Sequence, residues 1–115
     1  MPGDLPSVHV RRYEYALDDR TPFSGEYYPD KRLTGVQYDM HFPLELDFVL
    51  RGRWRREYGG WGAEVRAGQV SFCGMWERHG VASVNGEDCD VFVLMIWPAL
   101  VANLYCPEAP DFNWL

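Results

Sequence analysis

With 115 residues the chain has room for one hydrophobic core and no second module of useful size, so a single domain is expected. Hydrophobic residues at 47% and aromatics at 16% exclude the polar regime in which a chain cannot bury enough surface to order itself. A formal net charge of −6 sets the domain against phosphate backbones and anionic membranes, which argues against direct nucleic-acid binding and against a membrane partner.

The N-terminus lacks a basic stretch followed by an apolar core, and the longest nearly apolar run, 91–102, is too short to cross a bilayer. A soluble, cytoplasmic protein is expected. Cys73, Cys89 and Cys106 are an odd number at wide spacing without a CxxC pair, which predicts reduced thiols and no zinc knuckle.

Helical periodicity is scarce, and the chain reads as short β segments punctuated by Gly, Pro and Asp, with no internal repeat. Strands are predicted over 8–15, 35–41, 44–50, 53–58, 62–66, 69–73, 79–84 and 91–97. So many strands at this spacing imply an all-β closed barrel or sandwich. Gly59-Gly60 separates two strands, Arg66-Ala67-Gly68 ends another, and Asn85-Gly86 is a strong hairpin signal because both residues tolerate positive φ. Adjacent strands are therefore expected to run antiparallel, and an edge such as 8–15 could pair across a two-fold axis in a homodimer. Pro98 opens a short predicted helix through Leu104. From Pro107 to Pro110 the chain loses regularity, so 1–106 is taken as the domain and 107–115 as the start of a linker-like tail.

Asp39, His41 and Glu45 share odd parity, so strands flanking a tight turn at Phe42-Pro43 can aim all three into one interior. Leu44, Leu46, Phe48 and Leu50 then face the other side, and the strand becomes a wall between a packed layer and a polar pocket that Glu45 and Asp47 line. His41 and His79, two of three histidines, come from distant segments that a barrel brings together. Imidazole and carboxylate ligands suit Zn, Fe, Mn or Ni. The plain alternative is a pair of half-buried histidines bonded to a carboxylate or carbonyl. Glu45 in an otherwise apolar strand is costly unless paired or bound to metal, whereas Asp39 also fits an ordinary strand end.

Arg51, Arg53, Arg55 and Arg56 read as a solvated face whose stems cover apolar surface, rather than as an anion or DNA patch. Most tryptophans are expected in the core or rim, with Trp76, just before His79, the one placed to line the pocket. Cys73 is expected to be a small buried hydrophobe, with no basic partner to activate it.

Asp39-x-His41-x3-Glu45-x6-Gly52 resembles the first cupin motif, HxHx3-4Ex6G, with aspartate for the first histidine. Gly68-x5-Gly74-x-Trp76-x2-His79 is similar to the second, Gx5PxGx2Hx3N, with Gly74 for proline, Trp76 for glycine and Ser83 for asparagine. Within the cupins, the runs 39–46, 49–53 and 72–80 resemble the N-terminal domain of AraC-type transcription regulators, a likeness that covers roughly 35–102. It implies a single-domain jelly-roll barrel (double-stranded β-helix) that senses a small-molecule effector through His41, Glu45, Trp76 and His79 and aids dimerisation. The DNA-binding helix-turn-helix half of such regulators has no counterpart in this sequence. It implies equally a divalent metal (Zn, Fe, Mn or Ni) on Asp39, His41, Glu45 and His79, or an organic effector hydrogen-bonded by the same side chains. A non-catalytic sensor is the leading reading; the alternative is a metal-dependent cupin enzyme, a dioxygenase or isomerase.

Overall fold

The computed structural model describes residues 10–104 and 107–111. Among them the strands are β1 (Val10–Tyr13), β2 (Phe23–Lys31), β3 (Gln37–His41), β4 (Leu44–Arg51), β5 (Arg53–Tyr58), β6 (Trp61–Arg66), β7 (Val70–Cys73), β8 (His79–Ser83) and β9 (Cys89–Ile96), followed by a helix, α1 (Pro98–Ala102). One sheet has the order β1-β3-β8-β5-β6 and the other β2-β9-β4-β7. From β3 onward the chain changes sheet at every connection except β5 to β6. The two sheets thus wind around a common interior as a jelly roll.

Alternation decides which side chains enter that interior. On β4 the inward set is Glu45, Asp47 and Val49, and on β9 it is Val91, Val93 and Met95. The packed core of Val49, Trp54, Val65, Val81, Cys89 and Val91 lies toward the end of the barrel marked by the β4–β5 turn. The opposite end, where β3 passes into β4 and β8 begins, is left to polar groups.

The β4–β5 turn explains the glycine that closes the first motif. Gly52 has φ +75°, and a Cβ there would lie 2.8 Å from the backbone oxygen of Asp88. Only glycine adopts this conformation freely at so close an approach.

β2 escaped prediction because nearly every residue is exposed and Gly25 and Pro29 interrupt it. It pairs antiparallel with β9, and the register breaks between Tyr28 and Lys31, so Pro29 sits where no ladder bond is required. Asn85 and Gly86 do have positive φ, 51° and 68°, but their turn carries the chain from β8 in one sheet to β9 in the other, so it closes no hairpin. The hairpin lies at Gly59-Gly60, where Tyr58 opposes Trp61. β1 runs parallel to β3, not antiparallel, because a crossover through the other sheet separates them. Residues 8 and 9 of the first predicted strand lie outside the described residues, as does Cys106.

The packed layer expected from Leu46, Phe48 and Leu50 is also reversed: these side chains look outward, and the polar parity of β4 faces the interior. Arg56 is buried, whereas Arg51 and Arg53 pair with carboxylates on the outside of the barrel, Asp90 and Glu87. Among the described residues no helix is long and apolar enough to cross a membrane. Cys73 and Cys89 are buried free thiols.

Replacing Gly52 with Ala should cost about 2 kcal/mol, read as a clear fall in melting temperature. Gly59→Ala, where a Cβ meets nothing within 4 Å, should stay within about 0.5 kcal/mol of wild type. Equal melting of the two variants would contradict the role given to Gly52.

Candidate functional site

His41 is the last residue of β3 and Glu45 the second of β4, joined by the Phe42-Pro43 turn. His79 opens β8 and lies in register with Asp39 on one side and Tyr58 on the other. The strand ends therefore gather three polar side chains, all buried.

Each imidazole is oriented from behind by a carbonyl. His41 Nδ1 donates to the oxygen of Pro43 at 2.8 Å, and His79 Nδ1 to that of Glu77 at 2.8 Å. Carbonyl oxygen only accepts, so both Nδ1 atoms carry hydrogen, and the Nε2 atom of each neutral ring presents a lone pair. Both Nε2 atoms face Glu45 Oε1, at 2.9 Å from His41 and 3.6 Å from His79. Three electron-rich atoms within 4.8 Å of one another need a cation between them: a proton on one ring, or a metal ion bound by all three. Two histidines and one carboxylate with carbonyl-locked tautomers fit a divalent transition metal.

Behind the triad lies an ionic layer. Arg56 Nη2 donates to Glu45 Oε2 at 3.2 Å and to Asp47 Oδ2, while its Nη1 donates to the Gly80 oxygen at 3.1 Å. Ser71 Oγ adds a long bond to Asp47 at 3.4 Å. The layer closes one side of a cavity of about 240 Å³, which β2 lines with Ser24, Glu26 and Tyr28 and the segment before β2 with Tyr15. Asp47 Oδ1, Trp54 Nε1 and Arg56 Nε are buried without a hydrogen-bond partner, and all three residues line this cavity.

No protein-family model matches the chain, and no curated protein matches it in sequence. Solved structures do match in shape. The Cupin_2 domain of an XRE family transcriptional regulator from Enterobacter cloacae superposes with a TM-score of 0.57 at 12% identity, over 73% of this chain and 90% of that one. A Cupin 2 conserved barrel domain protein from Salinispora arenicola gives 0.55 at 19%, over 77% and 74%. The chain folds as a cupin. A third match, the plu4264 protein of Photorhabdus luminescens, gives 0.57 at 22% identity over 66% of this chain. The chain spans 63% of the length of plu4264 and 56% of that of the EutQ protein of Clostridium difficile.

The cupin barrel gathers some of the residues singled out from sequence and separates others. His41, Glu45 and His79 meet. Asp39 lies at the cavity mouth, where its Oδ1 accepts from Arg11 Nε at 3.1 Å, apart from the three-residue cluster. Trp76 does not line the cavity. The loop after β7 is pinned by its own backbone N–H, which donates to the His41 oxygen at 2.8 Å, and the ring turns outward, 40% exposed, under the Arg12 guanidinium at 4.5 Å.

Arg56 and Asp47 belong to the same site: parity placed Asp47 on the pocket wall, though not among the ligand-binding residues, and Arg56 was missed. Arg56 was grouped with its exposed neighbours, although its parity matches Trp54 and Tyr58 rather than Arg53 and Arg55. That alternation was the signal available. Tyr15 and Tyr28 also line the wall; Tyr28 donates to Glu26 at 2.7 Å, and burial and this bond push its phenol up to about 12, so it is a neutral donor.

Electrostatically the two carboxylates of β4 diverge. Burial pushes Glu45 up, but the bonds from His41 and His79, which a proton on an Nε2 atom supplies, and the Arg56 charge outweigh it and hold the carboxyl well below its usual range. Asp47 moves well above its ordinary value of 3.8 through burial and the adjacent Glu45 charge, which the shared guanidinium only partly offsets. Burial also pushes the Cys73 thiol up, so it is no nucleophile.

Two substitutions separate these roles. Arg56→Met strands two buried carboxylates and should destabilise the fold by about 3 kcal/mol or more in chemical denaturation. Asp47→Asn should act oppositely at neutral pH. Because folding raises the Asp47 pKa, its stabilising contribution is complete below its unfolded value near 3.8 and is lost as pH rises toward the folded value. The Asn variant escapes that loss, so its advantage in melting temperature should grow with pH. An advantage that shrinks with pH would contradict the assignment.

Proposed function

We propose that this chain is a small-molecule-sensing cupin domain of the kind found in AraC-type transcription regulators, working in the cytoplasm and without catalysis of its own. The observation that carries the reading is a cavity lined by Asp47, Trp54 and Arg56, each of which also holds a buried polar atom without a partner, an acceptor on Asp47 and donors on Trp54 and Arg56. An unmet buried polar group costs about 1–3 kcal/mol, and a small turn of these side chains toward an effector with its own donors and acceptors would remove that cost. Tyr15, Tyr28 and Trp54 offer ring faces and edges to the same space. A hydroxylated compound of sugar or organic-acid size fits this wall. The AraC-like runs at 39–46, 49–53 and 72–80 support the regulator setting, as does the likeness in fold to the Cupin_2 domain of an XRE family transcriptional regulator from Enterobacter cloacae.

Effector binding would report outward through β9, whose inner residues Val93 and Met95 touch the cavity and whose end leads through Trp97 into α1. A thermal-shift panel of pentoses, hexoses, hydroxy acids and phenolic acids should yield a compound that stabilises wild type by roughly 2.7 kcal/mol at a hundredfold excess over its Kd. Trp54→Phe, which loses the indole donor, should bind it more weakly. The same compound should slow amide exchange over 98–104. Tight binding with unchanged exchange there would remove the signalling part of the reading.

A metal-dependent enzyme is the second reading, and it has its own observation: the two Nε2 atoms and Glu45 Oε1 converge within 4.8 Å of one another, with both Nδ1 atoms committed to carbonyls. His41, Glu45 and His79 would hold the ion, which would supply Lewis-acid polarisation of a bound oxygen group. Elemental analysis of protein purified without chelator separates the readings. One equivalent of Fe, Mn, Ni or Zn, lost in His79→Ala, together with turnover of a cavity-bound compound, would favour the enzyme. A protein that takes up none of these ions would leave the triad to a proton and sink the enzyme reading.

A further inference from the structure

The outer faces of the two sheets differ sharply in chemistry. On the sheet that holds β5 and β6, outward residues are charged and paired: Arg53 with Glu64 and Glu87, and Arg55 with Glu57. On the other sheet the outward rows are apolar across all four strands. One row runs Tyr27, Phe92, Phe48 and Val70 from edge to edge, set by the pairing of β2 with β9, β9 with β4 and β4 with β7. The next row ends on Phe72, opposite Leu46.

These side chains are not scattered singles. Phe23, Tyr27, Leu50, Val70 and Phe72 are 59%, 51%, 56%, 52% and 52% exposed. The face is also flat: a Cβ on Gly25 would lie 2.5 Å from the tip of the Phe92 ring, so the ring lies down across β2 where only glycine leaves space. An aromatic side chain presents ~150–250 Å², so these exposures leave on the order of 600 Å² of contiguous apolar surface, at the upper limit for a monomer. That area approaches the ~800 Å² each partner of a standard interface buries, the remainder being polar rim.

Charge selects the partner. The acids and bases at the margin are already engaged, Arg51 with Asp30 and Asp90, and the face itself offers nothing to a charged surface. It is complementary to itself, since two copies related by a two-fold axis oppose no like charges and two sheets can stack ~10 Å apart. We propose that the outer face of β2, β9, β4 and β7 is the interface of a symmetric homodimer. The edge of β1, the dimer contact expected from sequence, is not required. Because the inner faces of β4 and β9 line the cavity, the dimer sets two pockets back to back against shared walls.

Sedimentation velocity of the full chain at tens of micromolar should give twice the chain mass, and added salt should tighten the dimer by screening the net charge of −6 on each copy. Val70→Lys and Phe72→Glu, both at exposed positions, should each raise the dimer Kd at least ~100-fold while the β circular-dichroism signal is kept. Leu50→Lys replaces either variant that loses that signal. Arg55→Glu, on the other sheet, should leave the dimer intact. A monomeric wild type, or a dimer that survives these substitutions, overturns the proposal.

Discussion

Two carboxylates buried in the barrel, Glu45 and Asp47, depend on a single guanidinium, and much of the architecture follows from that constraint. Arg56 reaches from β5 across the interior to both acids on β4 and binds the Gly80 oxygen on β8. One side chain thus ties together three strands from two sheets, two of which, β4 and β8, carry Glu45 and His79. The ionic layer cannot collapse into an apolar core without stranding a charge. Apolar packing is accordingly displaced toward the β4–β5 end, and the opposite end keeps its cavity.

The same layer sets the electrostatic character of the triad. Glu45 spends one oxygen on Arg56 and offers the other to His41 and His79. Carbonyls behind both rings fix which nitrogen holds hydrogen, so the front of the triad is a converging set of lone pairs. The nearby guanidinium disfavours a second positive charge, whereas Asp47 and Glu45 favour it. The balance between them, more than the presence of two histidines, governs whether the site holds a proton, a metal ion or an effector's own donors.

Much of the fold was legible because β periodicity is local. The parity of Asp39, His41 and Glu45 on either side of Phe42-Pro43 correctly brought His41 and Glu45 together, and the motif spacing brought His79 to them. The inward turn of β4 was readable only as an alternation; which side of it faced the interior was not, since the usual rule sends leucine and phenylalanine inward. Here that rule loses to the ionic layer on one side and to a large apolar outer face on the other. β2 was invisible because its exposure removes the alternation that marks a strand. The Asn85-Gly86 turn was read correctly as local conformation, yet whether it joins paired strands or carries the chain between sheets depends on long-range pairing. Asp39 and Trp76 illustrate the remaining gap: spacing places a residue on a strand or loop, but Arg11 and Arg12, from another strand, draw those two side chains outward or to the mouth.

Native mass spectrometry of the chain, purified without chelator and kept in volatile buffer, tests the central claim that the polar end of the barrel is a binding site. A mass excess matching a small hydroxylated compound, a divalent ion or both is expected, diminished in His79→Ala and in Trp54→Phe. A wild-type mass equal to that of the bare polypeptide, unchanged after incubation with the metal ions and with every compound of the panel, would contradict it.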